Sequence, residues 1–180
     1  YLPFEFVKEK GLVTMPEMAT WLQSVNCLML LRLNYPYEKN LPRGGSYGKY
    51  FENWSVPQKA LMFDDCTAPN IATVNGFAVL MKEVIDSSSK ASVPGSVVVH
   101  CTGGIGRTMT LLGHFAVKEF PISGGAWMGW ARMVRPGSVQ APVQERFLKA
   151  LEPAAIPKSA QRSSRRQPSI AGQSSCCTLS

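Results

Sequence analysis

The segment Ser96-Val97-Val98-Val99-His100-Cys101-Thr102-Gly103-Gly104-Ile105-Gly106-Arg107-Thr108 sets the architecture of this chain. Its consecutive valines favour a buried strand, its glycines indicate a tight loop, and the apolar spacing over residues 106–120 predicts a helix. A strand that passes through a glycine-rich loop into a helix aims backbone N–H groups and a helix N-terminus at one point. The segment therefore predicts an anion-binding loop.

Strand and helix patterns alternate on both sides of this loop. Short apolar runs predict strands at 27–33 and 59–63. Apolar residues at helical spacing predict further helices at 15–25, 74–85, 124–134 and 141–151. This order predicts an α/β fold with a central, mainly parallel sheet flanked by helices.

Composition divides the 180 residues into two parts. Residues 1–152 have the apolar content of one folded domain. Residues 153–180 are rich in Ser, Pro, Gln and Arg and bury too little apolar surface to offset their ordering entropy, which predicts a flexible basic tail. No apolar run is long enough for a bilayer span.

The formal net charge of +7 suits acidic partners such as phosphorylated substrates or anionic lipid. A solvated basic surface with a basic tail explains the charge equally well. The chain lacks the alternation of basic and aromatic residues typical of single-strand nucleic-acid binders, so no nucleic-acid partner is expected.

The five cysteines form no CxxC pair, so neither a zinc site nor another metal or cofactor is expected. Their odd number without a framework predicts reduced thiols in a cytosolic protein.

Cys101 and Arg107 carry the chemistry of the loop. Cys101 lies at the base of the predicted cradle, whose positive field favours the thiolate, a strong nucleophile. Arg107, six residues later, has a planar guanidinium that holds two phosphate oxygens at once. The alternative is a structural cysteine in an ordinary glycine-rich turn.

The segment from His100 to Thr108 resembles the HCxxGxGR[ST] signature of protein tyrosine and dual-specificity phosphatases. The resemblance implies that Cys101 attacks phosphorus to form a phosphocysteine. It implies that Arg107 and the amides of the loop stabilise the transferring group, that Thr108 eases departure of the thiolate, and that His100 supports the loop. The implied substrate-binding residues are Thr102, Gly103, Gly104, Ile105, Gly106 and Arg107.

Such chemistry also needs a general acid. In the resembling family this is an Asp on a mobile upstream loop. Here Asp64 and Asp65 stand in the stretch FDDCTAP, between a predicted strand and helix. Asp65 is the first candidate, with Asp64 as the alternative or an assistant. Two adjacent acids could instead cap the following helix.

Two features resemble the phosphatases of regenerating liver in particular. MFDDCTAP resembles the WPFDDGAPP loop of that family, although its Trp-Pro is replaced here by Leu61-Met62. The final Cys177-Thr178-Leu179-Ser180 fits the C-a-a-X prenylation pattern and follows Cys176 and three arginines, Arg162, Arg165 and Arg166. Lipidation of Cys177 would place a cytoplasmic protein peripherally on the inner face of the plasma membrane or on endosomes, bound to an anionic membrane surface. A chance match is the alternative.

The chain also departs from that family. Thr108 replaces the usual Ala, which predicts faster turnover. Asn34 stands where a second cysteine would form a disulfide with the nucleophile, and Cys27 and Cys66 are substitutes. The loop over residues 38–58 is longer, and its polar and aromatic residues either line the cleft or are loop filler: Arg43, Tyr47, Lys49 and Tyr50. Gln140 or Gln144 is expected near the cleft.

Three functions follow from the resemblance. The first is an enzyme that hydrolyses phosphotyrosine, with phosphoserine and phosphothreonine as further substrates, in phosphoproteins. The second is a module that binds CBS-domain magnesium transporters with weak catalysis. The third is a phosphoinositide phosphatase.

Overall fold

A parallel sheet forms the centre of the fold in the computed structural model, which describes residues 14–38, 56–89 and 92–155. The described strands are β1 (Cys27–Arg32), β2 (Gln58–Ala60) and β3 (Ser96–His100). Their order is β2-β1-β3, and β1 pairs in parallel with both neighbours. The predicted α/β fold with a parallel sheet is therefore confirmed.

The carboxyl ends of the strands meet at one edge of the sheet. Arg32 at the end of β1 lies opposite both Ala60 and His100. Backbone hydrogen bonds continue beyond the strands, from the Leu33 N–H to His100 O at 2.8 Å and from the Phe63 N–H to Leu33 O at 3.2 Å. The three segments that leave this edge are thereby held side by side.

Five helices are described: α1 (Met15–Ser24), α2 (Ile71–Ser88), α3 (Arg107–Glu119), α4 (Gly124–Val134) and α5 (Pro142–Lys149). Helices α1, α2 and α3 pack on the sheet, and α4 and α5 pack against α3. Thr14, Asn70 and Ser123 each cap the first turn of a helix with a side-chain oxygen, which satisfies backbone N–H groups that have no partner within the helix.

Apolar side chains from β1 enter cores on both faces of the sheet. Leu31 packs with Phe77 of α2 and Leu111 of α3, whereas Leu30 packs with Ala19 and Leu22 of α1. Neighbouring residues of a strand point to opposite faces, so the nearly continuous apolar run of β1 matches a strand covered on both sides.

The predicted boundaries differ most from the observed ones at two elements. The apolar pattern predicts α2 over 74–85, but the helix spans Ile71–Ser88. It starts earlier than predicted because the Asn70 side chain caps its first turn. The strand expected at 59–63 ends at Ala60, although the N–H groups of Leu61 and Phe63 still donate to backbone oxygens at the end of β1 and just after it.

None of the described helices combines the length and hydropathy that a bilayer crossing requires. The tail from residue 156 and most of the 38–58 loop, with Arg43, Tyr47, Lys49 and Tyr50, lie outside the described residues.

Two glycines of α4 give opposite expectations for stability. A Cβ on Gly124 would lie 2.0 Å from the backbone oxygen of Leu148, whereas a Cβ on Gly129 would meet nothing within 4 Å. Gly124→Ala should destabilise the protein by roughly 1–3 kcal/mol through overpacking. Gly129→Ala should stabilise it by roughly 0.5–1 kcal/mol through helix propensity. Urea unfolding of both variants measures the difference, and equal midpoints would contradict the packing of α4 against α5.

Candidate active site

The predicted phosphate loop lies between β3 and α3, at the carboxyl edge of the sheet. It runs from Cys101 to Gly106 and enters α3 at Arg107. Gly104 has a φ of 68°, a region that glycine adopts without steric cost. This turn lets the Gly104 N–H donate to the Cys101 sulfur at 3.1 Å. The loop therefore bends around a buried thiol.

The N-terminus of α3 supplies a positive field beneath this loop. Gly106 precedes the helix without a side-chain cap, and the first turn contains no acidic residue. Uncapped N–H groups and the helix dipole both favour a bound anion.

The side chain of Arg107 is fully buried under the loop. Its Nη1 donates to Glu38 Oε1 at 2.5 Å and to the backbone oxygen of Phe63 at 3.1 Å, and its Nη2 donates to Glu38 Oε2 at 2.8 Å. Burial alone would lower the pKa of Arg107, but the hydrogen bonds to Glu38 and the negative charges of Glu38 and Asp65 raise it overall. The guanidinium is thus a fixed, permanent cation.

Glu38 is a site residue that the sequence analysis missed. Besides both Arg107 contacts, its carboxylate accepts from the Thr102 hydroxyl at 2.6 Å and from the Tyr35 N–H at 2.8 Å. The hydrogen bonds from Arg107 are the main reason that its pKa falls from 4.5 to about 2. One sequence signal could have identified Glu38. It follows the predicted strand at 27–33 closely, so it lies at the same edge of the sheet as the phosphate loop.

One donor of Arg107 remains without an acceptor. Its buried Nε lies 3.1 Å from Asp65 Oδ1, but the N–H is not aligned with that oxygen and makes no hydrogen bond within the described part of the chain. An unsatisfied buried charged donor is costly. A phosphate oxygen on this side of the guanidinium, the side that Glu38 does not occupy, would satisfy it.

Only one of the two candidate acids contacts the buried arginine. Asp65 lies beside Arg107, and its Oδ1 also accepts from the Cys66 N–H at 3.0 Å. Asp64 is exposed, and its backbone oxygen accepts from the Thr67 hydroxyl at 2.7 Å. The geometry therefore favours Asp65 over Asp64 as the acid of the site.

Two other predicted residues lie at the two ends of the loop. The Nδ1 of His100 lies 3.1 Å from the Cys101 oxygen, and burial lowers its pKa, so it is neutral at pH 7. Thr108 is buried, and its hydroxyl has no hydrogen-bond partner among the described residues. Thr108 thus retains an unused donor just past Arg107.

Gln144 connects the loop that carries the acids to α5. Its Nε2 donates to the Thr67 oxygen at 3.0 Å, its Oε1 accepts from the Ala141 N–H at 3.3 Å, and a Cβ on Gly106 would touch it at 3.4 Å. Gln140 is exposed and donates to the Cys66 sulfur at 3.7 Å. Both glutamines contact the loop that carries the acids, and Gln144 joins that loop to α5.

The proposed disulfide substitutes differ in their positions. Cys27, Cys66 and Cys101 are free thiols. Cys27 lies opposite Ser96, and Ser96 precedes Cys101 by five residues along the chain. At the rise of a strand, this spacing places Cys27 about 16 Å from Cys101. A disulfide needs Cα atoms within about 7 Å, so Cys27 is excluded as a partner of Cys101. Cys66 is exposed beside Asp65, and Asn34 is buried at the end of β1.

Within the described ranges, no group of three His, Cys, Asp or Glu side chains is arranged to hold a metal ion.

No family model matches this chain, but individual proteins do. It is 32% identical over 117 residues to the tyrosine-protein phosphatase CDC14 homolog of Schizosaccharomyces pombe, covering 64% of this chain and 19% of that protein. It is 32% identical over 100 residues to the dual specificity protein phosphatase CDC14B of Mus musculus, covering 56% and 19%. The tyrosine-protein phosphatase cdc-14 of Caenorhabditis elegans is 50% identical over 50 residues, 28% of this chain and 7% of that protein. The chain thus spans about a fifth of the length of the fission-yeast and mouse proteins.

Solved phosphatase structures share the fold. Tk-PTP in its active form superposes with a TM-score of 0.61 at 22% identity, covering 77% of this chain and 86% of that one. PTPMT1 in complex with PI(5)P superposes with a TM-score of 0.58 at 19% identity, covering 76% and 84%. The chain therefore has the α/β fold of tyrosine and dual-specificity phosphatases, and its sequence is similar to CDC14 phosphatases. Closeness to the phosphatases of regenerating liver is not among these similarities.

Glu38→Gln should weaken the fold in a pH-dependent way. A carboxyl whose pKa is lower in the folded than in the unfolded state adds stability above the unfolded value and loses it as pH falls towards the folded value. The wild type should lose this contribution between pH 4.5 and about 2, and the variant should lack it throughout. At pH 7 we expect a loss of roughly 1.5–3 kcal/mol, typical of a hydrogen bond to a charged group.

Urea unfolding between pH 3 and pH 7 measures this difference. Glu83→Gln, which removes an exposed carboxylate of α2, is the matched control and should leave stability nearly unchanged. Equal stability of the wild type and Glu38→Gln at pH 7 would contradict the role of the ion pair.

Proposed function

We propose that this chain is a cysteine-dependent protein phosphatase that hydrolyses phosphotyrosine, with phosphoserine and phosphothreonine as further substrates. The observation that carries the proposal is the buried Nε of Arg107, which makes no hydrogen bond within the described residues although Asp65 lies 3.1 Å away. The Gly104 N–H of the adjoining loop already points at the Cys101 sulfur. The similarity to CDC14 tyrosine and dual-specificity phosphatases supports the same chemistry.

In the first step the Cys101 thiolate attacks phosphorus in line with the leaving oxygen. The S–P bond forms while the P–O bond to the tyrosine or serine breaks. Arg107 and the amides of the loop stabilise the charge on the transferring oxygens. Asp65, in its protonated form, donates its proton to the leaving oxygen. The products are the dephosphorylated protein and phosphocysteine.

In the second step water hydrolyses the phosphocysteine. The Asp65 carboxylate now accepts a proton from the attacking water, so it regains the proton that it lost. The water oxygen bonds to phosphorus as the S–P bond breaks, which releases inorganic phosphate and leaves Cys101 as a thiolate. The unused hydroxyl of Thr108 is the proposed donor to that sulfur, and neutral His100 holds the backbone oxygen of Cys101 in place.

The membrane-associated branch is a further part of the proposal. A prenyl group on Cys177, with Arg162, Arg165 and Arg166 nearby, would bring the enzyme to an anionic inner membrane surface. This idea depends on the sequence pattern, because the tail lies outside the described residues. Mass spectrometry of the protein from its native cell tests it, and an unmodified Cys177 would remove it together with the peripheral location.

Two other functions stay predictions from the resemblance alone. Binding to a CBS-domain magnesium transporter would require tight association with weak turnover. Hydrolysis of phosphoinositides would require activity on lipid micelles above that on phosphopeptides. The similarity to protein phosphatases of the CDC14 type makes a phosphoprotein the favoured substrate. A panel of phosphopeptides and phosphoinositide micelles distinguishes the two hydrolytic functions.

Cys101→Ser should abolish turnover of a generic aryl phosphate, by more than about 1,000-fold in kcat, because the nucleophile is lost. Steady-state kinetics measure the loss, and circular dichroism checks that the variant is folded. Undiminished turnover would refute the proposed mechanism.

Asp65→Asn should lower kcat about 100-fold on phosphopeptides with little change in binding, because proton donation to the leaving oxygen is lost. Asp64→Asn is the matched control in the same loop and should retain most activity. Rates on substrates with better leaving groups should fall less in Asp65→Asn. Equal effects of the two substitutions would contradict the assignment of Asp65.

Thr108→Ala should slow hydrolysis of the phosphocysteine more than its formation. Rapid-quench or stopped-flow kinetics on an aryl phosphate should then show a burst of product followed by a slower steady state. A uniform loss in both phases would instead indicate that Thr108 only supports the fold of the loop.

A further inference from the structure

We propose that Gln140 and Cys66 form a latch that holds the acid loop, residues 63–69, against the phosphate loop. Gln140 is then a positioning residue that places the Asp65 carboxyl for proton donation to the leaving oxygen. The inference rests on the proposed phosphatase function and adds to it the contact that sets the position of the acid.

The backbone of Cys66 is strained. Its φ of 58° lies in the left-handed region, which residues with a side chain seldom adopt. In the FDDGAPP stretch that the acid loop resembles, the corresponding residue is glycine, which adopts this region without steric cost. This chain therefore carries a side chain here at a conformational cost, and such a conformation persists only when the surrounding contacts hold it.

Gln140 supplies a contact to that side chain. Its Nε2 donates to the Cys66 sulfur at 3.7 Å, across 74 positions of the chain. The Cys66 N–H donates to Asp65 Oδ1 at 3.0 Å, and the same oxygen lies 3.1 Å from Arg107 Nε. Three successive contacts thus link Gln140, through Cys66 and Asp65, to the buried arginine.

The side chain of Gln140 lies between the two loops. Its Cγ is 3.6 Å from the position that a Cβ on Gly106 would take, so its stem covers the end of the phosphate loop while its amide reaches the acid loop. The preceding residue, Val139, is buried and donates its N–H to the Ile105 oxygen at 2.9 Å. Gln140 is therefore fixed relative to the phosphate loop.

Arg132 of α4 holds the turn from which Gln140 extends. Its Nε donates to the Ser138 oxygen at 3.1 Å and its Nη2 donates to the Val139 oxygen at 3.2 Å. The same Nη2 pairs with Glu145 of α5. The position of Gln140 is thus set by α4, α5 and the phosphate loop, and the acid loop is the element that the latch draws in.

Exposure distinguishes this contact from ordinary packing. Cys66, Gln140 and Asp65 are all exposed, so little apolar burial holds them together. The neighbouring bond from Gln144 Nε2 to the Thr67 oxygen uses a fully buried side chain and a backbone acceptor, and it is independent of the side chain at position 66. Loss of the latch should therefore let Asp65 move while the fold stays intact.

Two aryl phosphates of similar size test the proposal in the full chain. Phenyl phosphate has a poor leaving group that needs a proton, whereas para-nitrophenyl phosphate releases a better one. Gln140→Leu should lower kcat on phenyl phosphate about 3- to 10-fold, as expected from the loss of one hydrogen bond. It should change kcat on para-nitrophenyl phosphate much less. Cys66→Ala, which removes the sulfur but keeps the positive φ, should do the same.

Double variants show whether the two residues act together and through the acid. Gln140→Leu should add nothing to Cys66→Ala, and neither should add to Asp65→Asn, because residues in one contact network are not additive. Cys66→Ser keeps an acceptor and should retain part of the rate. Gln23→Leu, at an exposed position of α1, is the matched control and should leave both rates unchanged.

Two kinetic results would overturn the proposal. An equal loss by Gln140→Leu on both aryl phosphates would mean that Gln140 only supports the loops. A further loss when Gln140→Leu is combined with Asp65→Asn would mean that Gln140 does not act through Asp65.

Hydrogen exchange separates the latch from the phosphatase function. Amide exchange reports local opening, so residues 64–67 should exchange about 3- to 10-fold faster in Gln140→Leu than in the wild type. Gln23→Leu should not change their exchange. If no substrate is turned over but exchange rises, the phosphatase function fails and the latch stands as a structural contact. If substrates are turned over and exchange does not rise, the latch is wrong and the function stands.

Discussion

Burial of the Arg107 guanidinium is the constraint on which the site depends. A charge withdrawn from water needs partners at nearly every donor. The Glu38 carboxylate accepts from both Nη1 and Nη2, and the Phe63 oxygen accepts from a further N–H of Nη1. The Thr102 hydroxyl donates to Glu38 and lies 3.2 Å from Nη2. What remains is the buried Nε–H, which lies beside Asp65 without a hydrogen bond to it. The ion pair therefore stabilises the fold, and the remaining donor is the group that the proposed phosphate would bind.

The local part of this arrangement was readable from the sequence. The strand Ser96–His100, the loop and the helix from Arg107 follow one another along the chain, so the valine run, the glycines and the spacing of Cys101 and Arg107 predict them together. The parallel sheet followed from short apolar runs that alternate with helical patterns. These features depend on neighbouring residues, which local propensities describe well.

The residues that complete the site could not be read in the same way. Glu38 precedes Arg107 by 69 positions, and its pairing requires the ends of β1 and β3 to meet. The choice between Asp64 and Asp65 depended on which carboxylate faces the guanidinium, which adjacent residues in a loop do not reveal.

The reach of Arg107 has a consequence for folding. Its hydrogen bonds join residues separated by 69 and 44 positions in the chain, and contacts of such sequence separation carry a large entropic cost of loop closure. A partly folded chain that has formed β3 and α3 but has not yet docked the segment after β1 would already contain the signature loop, with its arginine unpaired. The complete site should therefore form only with the last long-range contacts, so the appearance of the proposed activity during refolding would report complete topology rather than the loop alone.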